Sequence, residues 1–554
     1  MTDRKITHEF YQNLFESIPP QHQPTYLLPP FNSDEYNLGV LLTRGPNETR
    51  DMSRIAIITE SEQISYRELD ESTSRLGNYL IQLGIQSKGD RIVFLTDDIR
   101  SKYGYLVLLA TLKVNALLFT PNPLLINLSH TEKLVDLIEP SLILIGRLQE
   151  GSDYSKFVAK YAENNPQKVY SVLSDDDKYA RLRDVEIEEM QSFSLMIKES
   201  KGLTPGYFCH TSGTTSLPKI CVHFHSTTYY TMMAFLNFFP LAESDRFLIH
   251  GSHGGTFGIV SNFCAFLLGA TIILDIRTPL KQQFEMYKPS VFLSGPSYYH
   301  SLLKEEHFTL PTSIRYLLSG AEKLQPSTFD MFRKKYNLTI NEMVGGSELC
   351  FVIAANPLGQ AKSASCGKKL SEYDLKILDE NLLEIEDDRK GILFARGPAN
   401  CFYFKNPSAQ AGVVMDGWYC TNDVFSRDAD GYYYCYGRED DIIIVDGFNI
   451  SPVVVEELLL NHPYVFEAGV VGIYDESVCS SKVLAGIVLS HASYDNEHCL
   501  RELLTWINTP SRVPVKSQIT ALFSISSLPR GGNGNKLNRK WLANELKKKM
   551  KNGQ

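Results

Sequence analysis

The chain has 554 residues, of which 43% are hydrophobic and 21% are charged, a composition typical of globular proteins with several folding units. Its formal net charge of −9 argues against nucleic-acid binding, so no nucleic-acid partner is expected. Ten scattered cysteines without a CxxC pair indicate buried side chains in a reducing compartment. The sequence has neither an 18-residue apolar run nor an apolar signal segment, and therefore predicts a cytoplasmic protein with no membrane partner.

Strands and helices are predicted to alternate along the first half of the chain. Residues 56–96 change from alternating apolar positions to helical spacing and then to an apolar run, which predicts a hairpin, an amphipathic helix and a buried strand. Residues 106–123 and 263–276 each predict a helix that leads through a tight turn into a buried strand. This recurrence predicts an α/β fold with doubly wound subdomains.

The segment 427–452 has a different pattern. Alternating aromatic residues are followed by a charged Gly-Arg-Glu-Asp and then by β-branched residues, with glycines between them. This change of composition predicts a domain junction.

The stretch TSGTTSLPK, residues 211–219, combines a glycine, five hydroxyl side chains and a lysine. Backbone N–H groups, hydroxyls and one positive charge suit a phosphate chain, so the stretch is a candidate phosphate loop. It is not the GxxxxGK[ST] loop of P-loop enzymes, because Lys219 follows a proline and no Ser or Thr follows the lysine. Taken alone, a Ser/Thr-rich surface turn explains the same residues equally well.

Further motifs occur in a fixed order after this stretch. They are SGAEKL (319–324), GGSEL (345–349), WYCTND (418–423), DGYYYCYGREDDIIIVDGFNISP (430–452) and PRGGNGNKLNRKWL (529–542). With this set, nearly the whole chain resembles the adenylate-forming, AMP-binding superfamily of acyl- and aryl-CoA synthetases, peptide-synthetase adenylation domains and luciferases. The run GGSELCFVIAANPLG and residues 427–472 look most similar to benzoate-CoA ligases.

The resemblance implies a two-domain architecture. It predicts a large N-terminal adenylation domain, residues 1–439, made of doubly wound α/β subdomains plus a β-barrel-like subdomain. A small, mobile α+β C-terminal domain, residues 440–554, would rotate about a hinge at Asp440 between two catalytic poses. In the first pose Lys536 would enter the site and stabilise the adenylation transition state. In the second, a thiol would reach the acyl-adenylate through a tunnel bordered by Gly447.

The chemistry implied is activation of a carboxylic acid by ATP with Mg²⁺, followed by transfer to a thiol. The residues that match the family's ATP-binding and catalytic positions are Thr211, Ser212, Gly213, Thr214, Thr215 and Lys219 for the β- and γ-phosphates, Gly320, Ala321 and Glu322 for adenine, Gly345, Gly346 and Ser347 near the α-phosphate, Glu348 for Mg²⁺, and Asp423 and Arg438 for ribose. Each group also has an ordinary structural interpretation. A Ser-Glu pair caps helices, an aspartate occurs in turns, and an arginine forms surface ion pairs.

The chain departs from the family pattern at several positions. The family usually has glycine at Ser216, Ile220 and Asn422 and a lysine at Ile444. It also reads Gly-Lys at the catalytic lysine, whereas this chain inserts Asn535. Lys536 is chosen because Leu-Asn-Arg follows it as expected; the alternative is that it is a solvated lysine of a basic tail.

The acyl pocket is predicted from family positions to include His253, Phe257, Gly258 and Ser319, although each could serve core packing instead. Amino-acid-activating relatives have an aspartate in the segment that is IHGSHGGTFGIV here, and this stretch contains none. A non-amino acid, aryl or short acyl, is therefore favoured. His253 is a candidate contact for the substrate carboxylate or the thiol, or a plain loop residue.

Three interpretations compete. The first is an aryl- or acyl-CoA ligase, the second a stand-alone ligase that loads the phosphopantetheine of a carrier protein, and the third a nucleotide-binding protein with little catalysis. The phosphate loop together with Glu348 and Asp423 argues against the third. The first two share every motif, and the sequence leaves the thiol acceptor and a homodimeric assembly open.

Overall fold

The computed structural model describes residues 9–27, 37–85, 89–97, 101–121, 128–146, 148, 152–165, 168–172, 180–182, 203–211, 217–250, 255–275, 277–305, 307–445, 448–475, 480–509, 518–531 and 536–551. Its α-helices in chain order are α1 Glu9–Glu16, α2 Leu38–Arg44, α3 Tyr66–Gln82, α4 Lys102–Lys113, α5 Leu128–Ile138, α6 Asp153–Asn164, α7 His225–Phe238, α8 Thr256–Leu268, α9 Leu280–Tyr287, α10 Pro296–Lys304, α11 Pro326–Tyr336, α12 Pro407–Ala411, α13 Pro452–Leu459, α14 Glu497–Ile507 and α15 Arg539–Lys551.

The strands in chain order are β1 Ile55–Ile58, β2 Gln63–Ser65, β3 Arg91–Leu95, β4 Leu117–Phe119, β5 Leu142–Ile145, β6 Val169–Val172, β7 Ala180–Leu182, β8 Pro205–His210, β9 Ile220–Phe224, β10 Arg246–Ile249, β11 Thr271–Ile273, β12 Val291–Ser294, β13 Tyr316–Ser319, β14 Asn341–Gly345, β15 Val352–Ala355, β16 Lys368–Lys369, β17 Asp374–Leu378, β18 Gly391–Arg396, β19 Val414–Met415, β20 Trp418–Arg427, β21 Tyr433–Arg438, β22 Ile443–Val445, β23 Phe448–Ile450, β24 Val465–Asp475, β25 Ser480–Leu489, β26 Ala521–Ser524, β27 Arg530–Gly531 and β28 Lys536–Leu537.

The elements predicted from the sequence form as expected. Ser65 caps α3 in a capping box with Glu68, which satisfies free N–H groups at the helix start. The turn after α4 contains Asn115 at φ 57° and leads into β4, and Gly269 at φ 78° ends α8 before β11. Both positions use the left-handed conformation that asparagine and glycine tolerate best, so the two helix-to-strand turns are encoded locally.

Two large sheets dominate the region before residue 440. One has the strand order β16-β15-β14-β13-β12-β10-β11-β1-β2 and the other β7-β6-β5-β3-β4-β8-β9. Their central strands are parallel, whereas β8 and β9 are antiparallel, as are β14 and β15. One hydrophobic cluster contains residues of both sheets, including Phe94 and Leu293, and a separate cluster covers the outer side of each sheet. Parallel strands buried on both faces are the mark of a doubly wound fold.

A third sheet, antiparallel, has the order β17-β18-β20-β19 with β21 beside β20. This sheet lies in the part of the chain where the resemblance implied a β-barrel-like subdomain. After it come the β22-β23 hairpin, a three-stranded sheet β24-β25-β26 and the β27-β28 hairpin. In the described residues, two hydrophobic clusters draw only on residues from Ile443 onward, and the remaining clusters only on earlier residues. A smaller α+β C-terminal domain therefore follows a large N-terminal one.

Among the helices described, none combines the length and apolarity needed to cross a bilayer.

Candidate active site

The base of the phosphate loop is closed by strand pairing. Strands β8 and β9 are antiparallel, and the Thr211 N–H donates to the Lys219 carbonyl at 2.9 Å, while the Lys219 N–H donates to Thr211 Oγ1 at 3.2 Å. Ile220, a departure from the family glycine, is a buried residue of β9. The predicted phosphate ligands Ser212, Gly213, Thr214 and Thr215, and Ser216, lie outside the described residues.

The segment Phe402–Phe404 pairs with β9 directly after the loop. The Val222 N–H donates to the Phe402 carbonyl at 2.9 Å, and the Phe404 N–H donates to the Ile220 carbonyl at 2.8 Å. This pairing places Tyr403 opposite Cys221. The Lys219 ammonium lies 5.1 Å from the centroid of the Tyr403 ring. An aromatic side chain is thereby anchored next to the lysine of the phosphate loop.

Tyr403 also binds the acid of the GGSEL motif. Its phenol donates a hydrogen bond of 2.8 Å to Glu348 Oε1. Burial, followed by the nearby Glu348 charge, raises the pKa of Tyr403 far above its ordinary value, so the phenol is a permanent donor. Tyr403 was not predicted from the sequence, because a tyrosine between two phenylalanines has no chemical signature of its own.

The loop with Glu348 connects β14 and β15. A Cβ added at Gly345 would lie 1.9 Å from the Phe351 carbonyl oxygen, so this position requires glycine. Within the loop, the Leu349 N–H donates to the Gly346 carbonyl at 3.2 Å and the Cys350 N–H to the Ser347 carbonyl at 3.3 Å. The Ser-Glu pair therefore lies in a tight connection between two strands and does not start a helix.

The predicted adenine turn, Gly320–Glu322, follows β13. The Gly320 N–H donates to the Ser294 carbonyl at 3.2 Å, and Ala321 has φ 72°. A Cβ at Gly320 would lie 2.8 Å from the Phe257 ring, so glycine allows this aromatic ring to pack against the turn. Glu322 lies 3.9 Å from Arg530 of β27, which brings the C-terminal hairpin to the same place.

Asp423 and Arg438 face each other on neighbouring strands. They are register partners on β20 and β21, and Arg438 Nε lies 3.5 Å from Asp423 Oδ1. Burial lowers the pKa of Arg438, but the charges of Asp423, Tyr419 and Glu348 outweigh it and raise the pKa above its ordinary value. The two ribose candidates therefore form an ion pair across adjacent strands.

The backbone conformation of Asn422 shows why this chain can have asparagine where the family usually has glycine. It has φ 56°, in the left-handed region that favours glycine and that asparagine tolerates better than most residues. The strand therefore keeps the local geometry that places Asp423, whose N–H donates to Thr421 Oγ1 at 3.1 Å.

The acyl-pocket candidates lie around the adenine turn. Phe257 and Gly258 open α8, and the Phe257 ring centroid is 6.4 Å from that of Phe351. Ser319 is fully buried at the end of β13, and its hydroxyl has no hydrogen-bond partner among the described residues. His253 lies outside the described residues, as does the predicted tunnel residue Gly447.

The predicted hinge and the predicted catalytic lysine lie after the third sheet. Asp440 lies in a short 3₁₀ helix, Glu439–Asp441, between β21 and β22, and Ile444 of β22 is 58% exposed. The backbone of Lys536 pairs with Gly531 in the β27-β28 hairpin, but its side chain and Asn535 are outside the described part of the chain.

One acidic side chain, that of Glu348, suits a magnesium ion at this site. Within the described residues, no group of three or more His, Cys, Asp and Glu could hold a metal by itself. Mg²⁺ commonly takes only one or two protein carboxylates and completes its shell with phosphate oxygens and water. Glu348 would supply an oxygen ligand of that kind, with the Tyr403 phenol bound to one of its two oxygens.

Comparison with known proteins agrees with this geometry. The family model described as AMP-binding enzyme matches residues 46–402, more than half of the chain. The chain therefore belongs to the AMP-binding enzyme family.

Two curated relatives cover most of the chain. A 3-hydroxybenzoate–CoA/4-hydroxybenzoate–CoA ligase of Thauera aromatica is 27% identical over 80% of this chain and 84% of its own length. A 4-hydroxybutyrate–CoA ligase of Metallosphaera sedula is 26% identical over 89% and 87%, respectively. The anthranilate CoA ligase AuaEII in complex with anthranoyl-AMP shares the fold, with a TM-score of 0.84, 22% identity, and coverage of 93% of this chain and 98% of its own.

Proposed function

We propose that this protein activates a carboxylic acid with ATP and then transfers the acyl group to the thiol of CoA. It is an acid–thiol ligase that forms AMP, with ATP and Mg²⁺ as cofactors. The single observation that supports this most strongly is the convergence of Lys219 and Glu348 on Tyr403. A site for ATP needs a cation and a metal ligand near the phosphates, and a carboxylate that binds the two ribose hydroxyls.

Each half-reaction breaks one bond and forms another. A carboxylate oxygen of the acid attacks the α-phosphorus of ATP, and the bond to the bridging oxygen of pyrophosphate breaks. The CoA sulfur then attacks the acyl carbon, loses its thiol proton, and AMP leaves with the bonding electrons. Bound Mg²⁺ would neutralise phosphate charge as pyrophosphate departs.

The residues of the chain provide position and charge. Lys219 stands at the base of the loop that would hold the β- and γ-phosphates, and Glu348 would hold the metal. Asp423 accepts hydrogen bonds from the ribose hydroxyls while Arg438 fixes its orientation. Lys536 adds a positive charge in the adenylation transition state. These roles are part of the proposal, as are Asp440 as the hinge, the boundary between 439 and 440, and the mobility of the C-terminal domain.

The substrate class follows the acyl-pocket candidates and the relatives. An aryl or short-chain, non-amino carboxylic acid suits a site bordered by Phe257 and Gly320, where the aromatic ring packs on the turn. The two curated relatives are named for hydroxybenzoates and 4-hydroxybutyrate. A carrier-protein thiol is the second candidate acceptor, and no relative named here favours it. A homodimer and a cytoplasmic location stay predictions.

Pyrophosphate exchange across a panel of carboxylic acids tests the function. We expect label from pyrophosphate to enter ATP only when a suitable acid and Mg²⁺ are both present, because the first half-reaction must run backwards through the acyl-adenylate. Thioester analysis with CoA and, in parallel, a phosphopantetheinylated carrier protein identifies the acceptor. Exchange without any acid would be incompatible with the proposal.

Tyr403→Phe tests the environment of Glu348. Loss of the phenol hydrogen bond should raise the Mg²⁺ concentration that half-saturates exchange by about tenfold, because partners of a metal ligand usually contribute 10–100-fold to affinity or activity. Tyr66→Phe is the matched control: it removes a buried phenol that donates to the Ala270 carbonyl at 2.7 Å, away from the site. An equal Mg²⁺ dependence in the two variants would refute the role of Tyr403.

A further inference from the structure

Lys323 lies where the adenine turn meets the C-terminal domain. It follows Glu322 directly, and its ammonium forms an ion pair with Glu457 of α13. Only 13% of the Lys323 side chain and 19% of the Glu457 side chain are exposed. Removing one partner of a buried ion pair is costly, because the other charge is left without compensation. This contact therefore links the turn firmly to α13.

A second acid, Glu342, lies beside the same turn within the N-terminal domain. Glu342 of β14 is 3% exposed, accepts a hydrogen bond of 3.0 Å from the Leu324 N–H, and has Cys366 Sγ at 3.8 Å. Burial raises the pKa of Glu342 to about 8; the Leu324 N–H and the Lys323 charge lower it, and the Glu457 charge raises it. The charge of Lys323 is therefore one of several influences on this carboxyl, whereas the ion pair of Lys323 is with Glu457 of the C-terminal domain.

The hairpin that contains Lys536 reaches the same turn. Arg530, at the start of β27, lies 3.9 Å from Glu322 and 3.2 Å from Glu467 of β24. Because β27 pairs with β28, the backbone of Lys536 is held beside this contact. The Lys323–Glu457 pair and the hairpin therefore mark the same arrangement of the two domains.

We propose that Lys323 is a positioning residue and that its ion pair with Glu457 selects the arrangement in which the Lys536 hairpin lies on the adenine turn. This rests on the proposed function, since it assigns that arrangement to acyl-adenylate formation. When the C-terminal domain turns away for thioester formation, the Lys323–Glu457 pair separates, so this pair stabilises only the first arrangement.

The two half-reactions, measured separately, test this inference. Lys323→Met and Glu457→Gln should each slow acyl-adenylate formation about tenfold, the loss typical of a shielded interface ion pair, and leave thioester formation from supplied acyl-adenylate unchanged.

Lys362→Met is the matched control. It removes a lysine that pairs with Asp428 and Asp430, both in the N-terminal domain, and should leave both half-reactions unchanged. If Lys323→Met does not fold, Glu457→Gln provides the test, because it changes a partly exposed side chain. Equal losses in both half-reactions, or no loss in either, would overturn the inference. A wild-type protein that forms no acyl-adenylate from any acid would instead refute the proposed function.

Discussion

Lys536→Ala should reduce acyl-adenylate formation by roughly two to four orders of magnitude, about 3–5 kcal/mol in activation free energy, while ATP binding changes little. The reason is that a charge placed against the reacting phosphate and carboxylate oxygens stabilises the transition state more than bound ATP. Thioester formation from synthetic acyl-adenylate should largely survive, because that step bypasses the adenylation transition state. Quenched-flow measurement of each half-reaction separates the two effects.

Lys540→Ala provides the control for the lysine assignment. Lys540 is an exposed residue of α15, four positions beyond Lys536, and its removal should leave both half-reactions intact. An undiminished adenylation rate in Lys536→Ala, or equal loss of both half-reactions in a folded protein, would mean that the motif alignment across Asn535 is wrong.

Glu348→Gln should lower pyrophosphate exchange roughly a hundredfold or more at physiological Mg²⁺. Glutamine can still accept the Tyr403 hydrogen bond, so the loop should keep its shape, but its neutral amide binds a hard cation much more weakly than a carboxylate does. Raising the Mg²⁺ concentration should therefore recover part of the activity. The measurement is exchange rate as a function of Mg²⁺, with thermal unfolding to confirm the fold.

Glu497→Gln is the corresponding control for a general loss of acidic charge. Glu497 is exposed on α14 and pairs only along its own helix with Arg501, among the contacts described for it. The Mg²⁺ dependence of pyrophosphate exchange in Glu497→Gln should match that of the wild type. If Glu348→Gln behaves in the same way, Glu348 does not hold the metal.

Much of the architecture was predictable because it depends on neighbouring residues. The spacing of the apolar residues in 56–96 predicts β1, β2, α3 and β3. Alternating apolar residues lie on one face of a strand, and apolar residues three or four positions apart lie on one face of a helix. The motif order likewise identified the AMP-binding family before any geometry was known. Residues such as Glu348 and Asp423 were recognised because their motifs are contiguous.

Contacts between distant segments were not predictable in this way. Tyr403 reaches Glu348 only because residues 402–404 pair with β9, and nothing near Tyr403 in the sequence encodes that pairing. Asn422 stood out as a departure, and only its φ of 56° shows that the strand geometry is retained. The need for glycine at Gly345 likewise comes from a backbone oxygen across a hairpin.

The sequence by itself determined the alternation of strands and helices, the family and the class of chemistry, because periodicity, turn residues and contiguous motifs are local properties. Only the tertiary structure decided which side chains meet: Tyr403 with Glu348, and Lys323 with Glu457. Such contacts depend on how whole sheets and domains pack, and the free energy of that packing is spread over many distant residues. No local sequence pattern encodes this packing.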